Sequence, residues 1–72
     1  MNEIYTRVEI LQQAFLNSLT LEATNRLLRL SGERELYSKN KREAICIFCL
    51  NNGLGLKKCN ELLEKYDEVT LE

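Results

Sequence analysis

The chain has 72 residues, which suffices for one domain with a small hydrophobic core. It carries 10 basic and 11 acidic residues, and this balance excludes attraction of the whole surface to nucleic acid or to an anionic membrane. No apolar run approaches the roughly 20 residues of a membrane span, and no signal-peptide pattern is present. The sequence therefore predicts a single domain over residues 1–72 in the cytoplasm, and both a complete gene product and a trimmed domain fit it.

Two amphipathic helices are predicted in the first half of the chain. The first covers Glu3–Leu16, where apolar residues recur at helical spacing and form one face, made of Ile4, Val8, Leu11 and Phe15. The second begins after Thr20, a favourable N-cap residue, and extends for about ten residues. Gly32 follows it and is typical of the left-handed position just past a helix end.

The third helix has the clearest start signal. Asn40–Glu43 has the spacing of a capping box, with Asn in place of Ser or Thr, directly before the apolar run 44–50. That run is also compatible with a buried strand, but the capping box favours a helix. A fourth helix is predicted from about Leu56 to Tyr66. The tail Asp67–Glu72 is expected to be extended and held in place by Val69 or Leu71.

An internal repeat relates the two halves of the chain. At a fixed offset of 35, residues 2–36 and 37–71 share ten identical positions. A period of this length is typical of a helical unit that cannot bury its apolar face alone. The sequence therefore predicts an all-α domain of four short helices, arranged as two pseudo-repeated helical hairpins in a compact bundle about the third helix. The residues expected to face inward are Val8, Leu11, Phe15, Leu21, Leu28, Ile45, Phe48, Cys49, Leu56 and Leu63.

Asn25 and Asn60 occupy the same position in the two halves. Asparagine is unfavourable inside a helix because its amide competes for backbone hydrogen bonds. Its recurrence predicts that each one ties the preceding turn or the neighbouring hairpin to its helix. Exposure to solvent or binding of a ligand is the alternative.

The cysteines are predicted to be structural. Cys46 and Cys49 form a Cys-x-x-Cys inside an apolar stretch, Cys59 is the third thiol, and the chain has no histidine to complete a four-ligand zinc site. Free cysteine behaves as a small buried hydrophobe, so we expect no metal and no cofactor, with a metal or redox role as the alternative. The absence of a glycine-rich phosphate loop and of a nucleophile beside a base also predicts a protein that is not an enzyme.

Two regions are candidates for contact with a partner. The run 44–50 has no polar face, so the third helix is either central, with neighbours on nearly every side, or leaves one face for a partner. In the second case, Ile47 and Leu50 are the apolar residues expected to remain for a protein partner or for a homodimer. The connection Glu33–Lys39, which Leu36 and Tyr37 would anchor, begins a basic region. We hypothesise that this region contacts an anion or a partner through Arg34, Lys39, Lys41 and Arg42. The alternative is that these residues form a solvated, salt-bridged face.

The order of these motifs supports a resemblance. Leu-x-Leu-x-x-x-Asn-x-Leu-Leu, a glycine, then Glu-Leu-Tyr-Ser-x-x-x-Arg-Glu-Ala-Ile and a second Asn-x-Leu-Leu extend over residues 19–71. This order resembles the small all-helical segments that follow the helix-turn-helix in certain bacterial and phage regulators. The stretch 27–32 departs from the turn that is usual in those helical segments. Residues 1–18 are too short to form the DNA-binding helix-turn-helix that precedes the segment in those regulators. The resemblance implies an accessory module that contacts proteins.

The sequence thus favours a small protein-interaction or regulatory module that acts through an apolar helix face. The alternative is a helix-turn-helix-like DNA-binding regulator that uses the basic region 34–42. Against this alternative, such a motif needs a turn of about four residues and a polar recognition helix, whereas the third helix is strongly apolar. Nucleic acid is therefore the second choice of partner, and a membrane is not expected.

Overall fold

A computed structural model describes residues 6–71 of the chain. These residues form four helices and no strand: α1 (Arg7–Leu16), α2 (Leu21–Leu30), α3 (Lys41–Asn51) and α4 (Leu56–Lys65). The predicted all-α class is confirmed, and the strand alternative for the run 44–50 is wrong. Ile4, predicted on the inward face of the first helix, lies outside the described residues.

Side-chain caps begin three of these helices. Thr6 accepts a hydrogen bond from the Glu9 N–H at 3.1 Å, and the Glu9 carboxylate accepts one from the Thr6 N–H at 2.8 Å. This capping box starts α1 one residue after Thr6, so the predicted start at Glu3 is too early. Thr20 caps α2 and Asn40 caps α3, both as predicted.

All four helices end in the same way. The residue after each C-cap has a positive φ, and the N–H groups that follow return to carbonyls of the last turn, as in a Schellman motif. In α2, for example, the Glu33 N–H donates to the Leu28 carbonyl at 2.8 Å. The positive-φ residues are Ser18 (55°), Gly32 (81°), Gly53 (67°) and Asp67 (59°).

Two of these four positive-φ residues, Ser18 and Asp67, are not glycine, and replacing either by glycine should stabilise the fold. Left-handed backbone costs an L-residue about 1 kcal/mol, and glycine avoids this cost. We therefore expect Ser18→Gly and Asp67→Gly each to raise the free energy of unfolding by about 0.5 to 1 kcal/mol in urea titrations followed by circular dichroism. The reciprocal control is Gly53→Ser, which should destabilise through φ alone, because no atom lies within 4 Å of the added Cβ. Equal stability of all these variants would contradict the explanation.

Each helix packs against two others. The main contacts are α1 with α2, α3 with α4, α1 with α4 and α2 with α3, within a globule of 11.5 Å radius of gyration. This arrangement replaces the predicted packing of the bundle about the third helix. Among the described residues, no helix has the length and apolar character needed to cross a membrane. The buried apolar residues are Ile10, Leu11, Ala14, Phe15, Leu28, Leu36, Cys46, Cys49, Leu50, Cys59, Leu63 and Leu71.

The predicted inward residues are confirmed in three of the four helices that carry them, and α3 is the exception. Phe48, predicted to be buried, is 55% exposed, whereas Leu50, predicted for a partner surface, is only 8% exposed. The remaining predicted residues are either buried (Leu11, Phe15, Leu28, Cys49 and Leu63) or half-buried against the core (Val8, Leu21, Ile45 and Leu56).

The error in α3 is one of rotation about the helix axis. Its buried face consists of Glu43, Cys46, Cys49 and Leu50. A stretch that is apolar on every side offers no polar face from which the inward direction can be inferred. The buried side is therefore set by tertiary contacts, including those of a buried carboxylate.

Asn25 and Asn60 have structural roles, and their hydrogen bonds correspond. The side-chain oxygen of Asn25 accepts from the Leu36 N–H at 3.0 Å, and that of Asn60 accepts from the Leu71 N–H at 2.7 Å. The predicted partner was the preceding turn or the other hairpin, but each asparagine holds the segment that follows its own helix. Both leucines are buried, so each bond fixes an extended segment over the core. Leu71 thus holds the tail, whereas Val69 is exposed.

Two arginines also hold the segments that follow α2 and α4, by hydrogen bonds to their backbone carbonyls. Arg7 donates to the carbonyls of Arg34 and Glu35 at 2.7 and 3.2 Å. Arg42 donates to the carbonyls of Val69 and Thr70, both at 2.8 Å. The donors and the acceptors are all related by the offset of 35. We call each arginine with its two carbonyls an arginine clamp.

Candidate functional site

A largely apolar concave surface lies between α3 and α4. A groove of about 430 Å³ is lined by Lys41, Ala44, Ile45, Phe48, Leu62 and Tyr66, and is called here the α3–α4 groove. Its floor is half-buried aliphatic side chain, and its two aromatic residues are well exposed, Phe48 at 55% and Tyr66 at 46%. Apolar clefts with a few polar groups at the edge are the usual form of binding sites in proteins.

The geometry of the two helices explains why these residues meet. Ala44 and Phe48 are four residues apart on α3, and Leu62 and Tyr66 are four apart at the end of α4. Side chains at this spacing lie one above the other on a helix. The Schellman turn at Gly53 reverses the chain between α3 and α4, and the two apolar ridges then lie side by side.

Two lysines flank the aromatic ring at one end of the groove. The Nζ atoms of Lys41 and Lys65 each lie 5.9 Å from the centroid of the Tyr66 ring, a distance compatible with cation–π attraction. The five ion pairs among residues 6–71 include neither of these lysines. The apolar groove therefore has a positively charged end whose ammonium groups are not paired with carboxylates in the described part of the chain.

Four of the six positions in the first half that correspond to the groove lining are polar. At the offset of 35, the exposed residues Lys41, Phe48 and Tyr66 and the half-buried Ala44 correspond to Thr6, Gln13, Ser31 and Glu9, which are all exposed. Helix packing in this fold therefore does not require apolar residues at these positions. Exposed Phe and Tyr in the second half are consistent with a binding surface that the first half lacks.

The two predicted interface residues, Ile47 and Leu50, do not lie on the candidate binding surface. Leu50 belongs to the core, and the proposal that it remains for a partner is wrong. Ile47 is half-buried and packs against the core. Neither lines the groove, whose exposed residues Phe48 and Tyr66 the prediction missed. A comparison of the two halves contains the signal, because Phe48 and Tyr66 replace Gln13 and Ser31 at exposed helix positions.

The four predicted basic residues are not brought together on one free surface. Arg34 bonds to Glu43 at 3.3 Å. Arg42 forms one of the arginine clamps, which also explains a cation at the N-terminus of α3. Lys41 lines the groove and Lys39 is exposed in the preceding turn. The alternative of a salt-bridged face describes much of this region, since Arg29 also pairs with Glu35.

A buried carboxylate organises the junction of α1, α3 and the loop between α2 and α3. Glu43 bonds to the Nε of Arg7 at 2.9 Å and accepts from the Tyr37 N–H at 2.8 Å, in addition to Arg34. Burial opposes ionisation of Glu43, but the Arg7 hydrogen bond, the Tyr37 N–H and the two positive charges outweigh it. Together they hold the pKa of Glu43 below its usual value. This network is structural, and its carboxylate is fully engaged.

The three cysteines lie together in the core. Cys46, Cys49 and Cys59 are free thiols and fully buried, as predicted. The hydrogen bond to Cys46, together with burial, raises the pKa of Cys59, and burial raises the pKa of Cys49. Within the described residues, no group of three or more His, Cys, Asp or Glu has a geometry that could hold a metal ion. The thiols therefore act as core packing between α3 and α4.

A second, smaller cleft separates the two turns that end α1 and α3. It measures about 290 Å³ and is lined largely by corresponding residues of the two halves, such as Phe15 with Leu50 and Ser18 with Gly53. It exposes backbone and small side chains and has no charged residue in its lining. The α3–α4 groove, with aromatic and charged side chains, is the stronger candidate.

Comparison of the chain with protein-family models, with curated proteins and with solved structures gives no match.

Proposed function

We propose that this protein is a non-enzymatic protein-interaction or regulatory module that binds its partner through the α3–α4 groove. The observation that supports the proposal is the pair of exposed aromatic residues, Phe48 and Tyr66, over an aliphatic floor. Aromatic anchors around an apolar centre dominate the binding energy of most protein interfaces. The resemblance of residues 19–71 to accessory helical segments of bacterial and phage regulators favours the same class of function.

We also propose that the two halves of the chain are copies of one helical hairpin unit and that they have different roles. Both halves have the Schellman ends, the asparagine bond and the arginine clamp. The second half carries the apolar α3–α4 groove, and four of the six corresponding positions of the first half carry Thr6, Glu9, Gln13 and Ser31. In this proposal the first half supports the second, because a single hairpin of this length cannot bury its own apolar face.

DNA binding is the weaker hypothesis. A DNA-binding surface needs several cations free to contact phosphates, and its binding falls steeply with salt. Arg34 and Arg42 are engaged with Glu43 and with the tail carbonyls. No observation on the basic region favours DNA over the groove as the functional surface.

Site-specific photo-crosslinking tests the proposed function. With a photoreactive phenylalanine analogue at position 48, irradiated cells that express the protein naturally should yield one discrete protein adduct. The matched control carries the analogue at position 13, the corresponding exposed position of α1, and should yield none. The adduct at position 48 should also disappear in Tyr66→Ser, which places the Ser31 residue type in the groove. Its mass separates a homodimer from a complex with another protein. Equal adducts at both positions, or none at position 48, would reject the proposal.

A further inference from the structure

The size of the α3–α4 groove limits what can occupy it. Six residues line it, whereas a stable protein dimer buries about 800 Å² on each partner, contributed by roughly 20 to 30 residues a side. Two apolar ridges with an apolar floor between them are the form of surface that binds one amphipathic helix in helix-in-groove complexes. The groove is therefore suited to one amphipathic helix of a partner.

The charge around the groove indicates which kind of helix binds there. Lys41 and Lys65 flank the Tyr66 ring and have no carboxylate partner among residues 6–71, and Lys58 follows the same side of α4, where it pairs only with Glu61. The lining itself contains no acidic residue. Complementary charge increases both the specificity and the rate of association, so carboxylates on the occupant are expected beside the Tyr66 end.

A second copy of this chain fits less well. In a symmetric dimer the same surface packs against itself, so the groove lining of one copy would meet the lining of the other. That lining supplies a lysine and no carboxylate, which leaves Lys41 and Lys65 of both copies unpaired. Single-stranded nucleic acid would find aromatic rings and lysines, but three of the six lining residues are aliphatic and offer no surface for base stacking.

We infer that the α3–α4 groove binds an acidic amphipathic helix of a partner protein. Its apolar side contacts Phe48, Ile45 and Leu62, and its carboxylates pair with Lys41 and Lys65 beside Tyr66. This inference depends on the proposed function, because it names the partner chemistry for the same site.

Selection from a displayed peptide library tests the inference. The probe is a random library of helical peptides of about 15 residues, selected on the purified chain. We expect enriched peptides with apolar residues at helical spacing and with Asp or Glu on the flank. Their binding should fall about tenfold or more in Phe48→Gln, which uses the residue type of position 13 and so suits an exposed helix position. Circular dichroism verifies that this variant is folded.

Charge reversal isolates the role of the two lysines. In the double variant Lys41→Glu with Lys65→Glu, binding of the selected acidic peptides should fall about 20-fold, and a new selection should enrich Lys and Arg instead. The matched control, Lys39→Glu with Lys57→Glu, changes the net charge equally at exposed positions outside the groove and should bind the acidic peptides within about twofold of the wild type.

Each other outcome has a defined meaning. Peptides that depend on Phe48 but carry no excess of acidic residues, or that bind the charge-reversed variant equally, overturn the inference and leave the proposed function standing. If no selected peptide depends on Phe48, both fail. A wild-type dimer in sedimentation that Phe48→Gln dissociates identifies a second copy as the occupant and overturns the inference. Binding of a single-stranded oligonucleotide that Phe48→Gln abolishes identifies nucleic acid and overturns both.

Discussion

Replacing Leu71 by alanine should remove most or all of the stability of the fold at room temperature. The Leu71 side chain is fully buried in the core, and truncation of such a leucine costs about 2 to 5 kcal/mol. A single core in a domain this small rarely supplies more than about 3 to 5 kcal/mol, so the loss consumes most of the stability. The expected result is a large loss of the helical circular dichroism signal at 222 nm, or a urea midpoint close to zero.

Val69→Ala is the matched control for Leu71→Ala. The two residues lie in the same extended tail, but Val69 is 71% exposed and contributes its carbonyl, not its side chain, to the Arg42 clamp. We expect its free energy of unfolding to remain within about 0.5 kcal/mol of the wild type. Equally small losses in the two variants would show that the tail acts through its backbone alone.

Replacing Glu43 should be the next most damaging change. Glu43→Ala removes the acceptor for Arg7, Arg34 and the Tyr37 N–H in a nearly buried site. Loss of this acceptor costs about 2 to 3 kcal/mol, because the partly buried Arg7 guanidinium loses its carboxylate, whereas Arg34, whose side chain is 63% exposed, bonds to water instead. Urea titration should show this loss, whereas Glu61→Ala, which breaks only the exposed pair with Lys58, should change stability by less than about 0.5 kcal/mol.

The pH dependence of stability separates the charge of Glu43 from its packing. The pKa of Glu43 is lowered in the folded protein, so the unfolded state binds the proton more tightly. Its stabilisation is therefore fully present above the unfolded pKa, near 4.5, and is lost as the pH falls through the folded pKa. Glu43→Gln should be less stable than the wild type at neutral pH, and the difference should shrink below pH 4.5. A constant difference across this range would exclude the charge as the cause.

The number and type of helices could be predicted from the sequence because their signals are local. Thr20 and Asn40 as N-caps, Gly32 as a C-terminal residue and the spacing of leucines all act within one or two turns. The start of α1 was also encoded locally, in Thr6 and Glu9, but apolar spacing that continued upstream suggested an earlier start.

The candidate site could not be predicted because it depends on the rotation of α3. Periodicity gives no inward direction to a stretch without a polar face, so it predicts a buried Phe48 and an exposed Leu50 no better than the reverse. The repeat contained the missing direction: the inward residues Val8, Leu11 and Phe15 correspond to Glu43, Cys46 and Leu50. Hydrophobicity alone does not predict the acidic residue of this set to be buried, since burial of a carboxylate becomes favourable only with distant partners such as Arg7.

The arginine clamps bear on how this fold can change in evolution. Their acceptors are main-chain carbonyls, which every amino acid supplies, so the held segments are free to change their side chains while the guanidinium groups are not. The chain itself illustrates the difference: the donors are arginine in both halves, whereas Arg34 and Glu35 correspond to Val69 and Thr70. The acceptor positions can therefore carry different residues in the two halves while the arginine clamps remain the same.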